Sequence, residues 1–173
     1  MKALLASAAL ASLPLAISTP PVHARPDGET IESAVRFGLP ALFAGFQATC
    51  STELANDGYV ARNGDRLAAK FTQGADIHWP AAKDALLTLG KGEGMDREML
   101  AGMPDEALKP FVTALLQQMV STEIKPSQCA DVERGLELID PLPADNIAGL
   151  IGFMVEMAER DEDADSAQAA GES

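Results

Sequence analysis

The sequence predicts an all-α protein, an irregular or orthogonal bundle of six to seven short helices cross-linked by one disulfide. Three observations carry that expectation. Apolar residues recur at i, i+3 and i+4 along most of the chain, β-branched runs that would favour strands are few, and both cysteines fall on apolar stripes of separate helices. At 173 residues the chain has the length of one domain.

Residues 1–24 are set apart before the helices are read. Met1-Lys2 is a short basic start to the apolar run Ala3–Ile17, which has the length of a signal-peptide core and is too short to span a bilayer. Val22 and Ala24 then occupy positions −3 and −1 of a cut between Ala24 and Arg25. The expectation is a Sec-type signal peptide, an exported chain that is periplasmic or extracellular, and no membrane span after cleavage.

In the remainder, Ile31, Ala34, Val35 and Gly38 begin a helical pattern that Leu39-Pro40 interrupts, so Pro40 is expected to open a second helix. That helix carries Leu42, Phe43, Phe46, Cys50 and Leu54 on one face. Asp57-Gly58 and Asn63-Gly64 are turn signals, which makes Tyr59–Arg62 a loop and Asp65 the N-cap of a short helix ending at Gly74. Pro80 suits the first turn of a helix through Leu89, closed by the glycine run at 90–94. Asp96 caps a short segment holding Met99 and Met103. Leu108, Phe111, Val112, Leu115, Leu116, Met119 and Val120 then mark a clear amphipathic helix, with Pro110 in its first two turns where a missing N–H costs least.

Ser127 can cap a helix with Cys129, Val132, Leu136 and Ile139 inward. The last helix starts at Asp145 or Asn146, with Ile147, Leu150, Ile151, Met154, Val155 and Ala158 expected inward. The organisation expected is thus a signal segment at 1–24, a single helical domain at 25–158 and a disordered acidic tail at 159–173.

Charge narrows the function. The 26 acidic against 13 basic side chains argue against a nucleic-acid surface, which needs clustered Lys and Arg to displace counterions. The same charge steers a basic protein partner toward the chain. In an exported chain Cys50 and Cys129 are expected to be joined, closing a loop of about 80 residues. No Cys-x-x-Cys and no adjacent base supports redox chemistry there.

His78 is the single imidazole once residues 1–24 are removed, and with Trp79 and Pro80 it is the candidate for general acid–base chemistry in a small hydrolase. A carboxylate pair is the other hydrolytic option. No Gly-x-Ser-x-Gly accompanies it, and an amphipathic His-Trp edge packed on the bundle explains the same residues. Met95, Met99 and Met103 recur every four residues, a soft thioether spacing that could hold Cu(I), although methionine also fills irregular cores. One His and two bridged cysteines do not supply a zinc site. The reading that remains is a non-enzymatic interaction module without a cofactor, taking a basic protein or an apolar ligand in an interhelical groove, with the hydrolase and the copper protein as alternatives.

Overall fold

The first helix organises the molecule. In the computed structural model, which describes residues 26–89 and 97–171, α1 spans Gly28–Cys50. The expected signal segment with its Ala24–Arg25 bond, the glycine run, Met95 and Asp96 lie outside the described residues. Asp27 caps α1 by accepting from the Thr30 N–H at 2.8 Å. The helix runs unbroken through Pro40, where the local sequence signal divides it in two. An interior proline costs about 3 kcal/mol. Packing offsets that cost, because α1 is covered by α2, α3, α5, α7 and the turn before α3.

α2 spans Tyr59–Thr72 and begins six residues before Asp65, where a loop is expected. Its cap comes from elsewhere in the chain. The Val60 N–H donates to Glu133 Oε1 at 2.7 Å, a tertiary cap that a local reading of Asp57-Gly58 cannot supply. After α2, Gly74 takes a left-handed φ of 75°, and a 3-10 turn, Ala75–His78, leads into α3, Trp79–Leu89. α4 (Arg97–Gly102), α5 (Asp105–Glu123), a 3-10 turn (Pro126–Gln128), α6 (Cys129–Ile139) and α7 (Ala144–Gly171) come next. The all-α expectation stands: seven α-helices and no strand among the described residues.

Beyond Ala158 the chain differs from the disordered tail expected of it, since α7 continues to Gly171. Residues 159–171 contain no proline and several strong helix formers, Ala164, Ala167, Gln168, Ala169 and Ala170. Losing the apolar period there removes a packing face, not the helix.

Two cores flank α1. Phe43, Phe46, Leu67, Phe71 and Ile147 form one with Cys50 and Cys129, and Trp79, Leu100, Leu108 and Val112 form the other. Cys50 and Cys129 are disulfide-bonded with Cα atoms 5.6 Å apart, stapling the end of α1 to the start of α6. On α1, Gly45 allows the closest approach of α5: a Cβ there would stand 2.9 Å from the Gln117 carbonyl oxygen. Gly45→Ala is therefore expected to destabilise by about 1–2 kcal/mol despite its better helix propensity. Gly135→Ala on α6, with nothing within 4 Å of the new Cβ, should instead stabilise by up to about 1 kcal/mol. Urea midpoints of the two variants on opposite sides of the parent check this contrast.

Candidate functional site

α5 and α7 both pack on α1 but make no extensive contact with each other, and α6 leans mainly on α2. The arrangement leaves a groove. Leu39, Leu42, Phe43 and Phe46 of α1 form its floor together with Phe71 of α2. Val120 and Ile124 close one side, and Val132, Leu136, Ile139, Ile147 and Ile151 close the other. Its volume is about 270 Å³, and every lining residue is apolar.

The apolar surface continues out of the groove along α7. Leu150, Phe153, Met154 and Met157 are 49%, 55%, 62% and 41% exposed. Periodicity places Leu150, Met154 and Val155 inward, and their exposure corrects that expectation. The physical reason is the face α7 turns toward α1: Gly149 and Gly152 lie against Glu32, and Glu156 reaches over Gly28, so the opposite arc of the helix has no packing neighbour among the described residues.

A second cavity of about 380 Å³, lined by both polar and apolar residues, holds His78. Arg36, Lys70, Gln73, Gly74, Ile77, Pro143, Ala144 and Asp145 line it with the imidazole. The cavity brings His78 and Asp145 together, which is what the hydrolase alternative asks for. The carboxylate is already engaged, however, because Asp145 Oδ1 accepts from Arg36 Nε at 2.7 Å. Among the described residues no Ser, Thr or Cys lines this cavity to serve as nucleophile.

Arg36, which the sequence reading passes over, is the buried charge of the described molecule. Besides Asp145 it donates to the carbonyls of Phe71, at 2.7 Å, and Gln73. One guanidinium thus fastens the end of α2 and the start of α7 to α1. A single Arg inside an apolar helix pattern is the signal that could have found it. A second tie uses Asp140, which accepts from Arg66 and the Tyr59 hydroxyl and lies 3.6 Å from Lys70 Nζ. Hydrogen bonds from Arg66 hold the Asp140 carboxyl well below the usual carboxylate range. The tie is intact above that range and is lost as acid protonates it. Burial, together with donation to Asp140, raises the Tyr59 phenol.

Of the methionine spacing, Met95 lies outside the described residues, and Met99 and Met103 do not share one helix face. α4 ends at Gly102, so Met103 lies past the helix and packs against the Trp79 core, whereas Met99 on α4 is exposed. Among the described residues no cluster of three or more His, Cys, Asp or Glu side chains could hold a metal. No single described helix is long and apolar enough to cross a membrane. In comparisons with known proteins the chain matches no family model, no curated protein and no solved structure.

Proposed function

We propose that the chain is an exported, non-enzymatic binding protein that takes the apolar face of a ligand or partner in the groove between α5 and the α6–α7 corner. The observation that carries this reading is the wholly apolar lining, continued by an uncovered apolar arc on α7. Water in contact with such a surface is released on binding, and covering each half-exposed α7 side chain contributes roughly 1 kcal/mol. Larger uncovered apolar patches of this kind mark interaction surfaces. The signal-like residues 1–24 and the Cys50–Cys129 bridge, of a type that persists in oxidising compartments, support the exported setting.

Titration with N-phenyl-1-naphthylamine, a neutral apolar fluorophore, tests the groove. Saturable binding is expected, weakened about tenfold or more, roughly 1.4 kcal/mol, by Ile151→Gln, which makes the wall polar, and by Ile151→Trp, which fills the space. Unchanged binding in both variants would refute the groove. Ester turnover lost in His78→Ala would establish the hydrolase in its place.

A further inference from the structure

Resting on that reading of the groove, we propose that its occupant is a cationic amphipathic helix of another protein, laid along α7. On α7 the apolar arc gives way to a strongly acidic stretch. From Glu156 to Asp165 the helix carries Glu156, Glu159, Asp161, Glu162, Asp163 and Asp165 against the one cation Arg160. Glu156 is engaged with Arg160 and lies over Gly28, and beyond it the sequence adds five more carboxylates to this end of the helix. Helical register puts Asp161 seven residues after Met154 and four after Met157, in the middle of the uncovered arc, and its side chain is exposed.

A ligand laid along α7 therefore meets an apolar trough and then an acidic turn. An amphipathic helix with apolar anchors at i, i+3, i+4 and i+7 and basic residues beyond them matches both parts. The same charge disfavours the other occupants of an apolar groove. A second copy would bring two acidic α7 ends and two chains of net charge −13 together, and an anionic membrane surface would be repelled in the same way.

The experiment uses the chain from Arg25 to Ser173 and peptides of about 18 residues, five helical turns, that share one leucine face and carry Lys, Gln or Glu opposite it. Fluorescence anisotropy at about 50 mM salt is expected to rank Lys over Gln over Glu, with Lys favoured about tenfold over Gln. At about 300 mM salt the preference should shrink to within about threefold, because exposed charges are then screened. Replacing Asp161, Glu162, Asp163 and Asp165 with their amides should abolish the preference while leaving naphthylamine binding intact. Equal binding of the Lys and Gln peptides with the naphthylamine site intact overturns the cationic helix but not the groove. Failure of naphthylamine binding itself overturns both. Dimerisation in sedimentation, or capture by phosphatidylglycerol vesicles in preference to the Lys peptide, also overturns the proposal.

Discussion

Replacing Cys50 and Cys129 together with alanine is expected to lower the melting temperature by roughly 8–20 °C. The bridge joins residues 79 apart, and in the chain-entropy view a loop of that length stabilises the fold by about 4–5 kcal/mol. For a domain of this size each kcal/mol is worth roughly 2–4 °C. Little else compensates, since both cysteines are fully buried in the core and α6 otherwise leans on α2. Thermal unfolding followed by circular dichroism measures the effect. The groove should suffer too, because Val132 and Leu136 form one wall from the helix the bridge holds. A shift within about 3 °C would mean that packing alone fixes α6 and that the staple contributes far less than its loop length implies.

Arg36→Met is the second large effect, at about 2–4 kcal/mol. Methionine keeps most of the stem's apolar contact but leaves the Phe71 and Gln73 carbonyls without their donor, and an unsatisfied buried carbonyl costs about 1–3 kcal/mol. Asp145→Asn should cost about 1 kcal/mol or less, because its amide oxygen still accepts and the side chain is 71% exposed to water. Chemical denaturation of both variants separates the two contributions. Equal losses would place the energy in the ion pair; the structure places it in the backbone carbonyls.

The helices themselves are legible in the sequence because stripes such as Leu108–Val120 and Cys129–Ile139 repeat at the helical period, and both cysteines sit on stripes that have to meet inside. The departures share a cause. Pro40 and Asp57-Gly58 are local signals that tertiary partners override: packing around α1 carries the proline, and Glu133 of α6 caps α2. The groove is half legible. Leu42, Phe46, Val132, Leu136, Ile147 and Ile151 all lie on expected apolar faces, yet periodicity cannot say which faces will lack a neighbour. A clue exists in α7, whose apolar positions Ile147, Leu150, Ile151, Phe153, Met154, Val155 and Met157 cover a wider arc than one packing contact on α1 needs.

The proposal places binding in the apolar groove and not in the His78 cavity. Methyl NMR of isoleucine-labelled protein reads both at once, because Ile124, Ile139, Ile147 and Ile151 line the groove and Ile77 lines the His78 cavity. Titration with the leucine–lysine peptide is predicted to shift the groove methyls and leave Ile77 in place. Shifts confined to Ile77, or none at saturating peptide, would contradict the proposed binding surface.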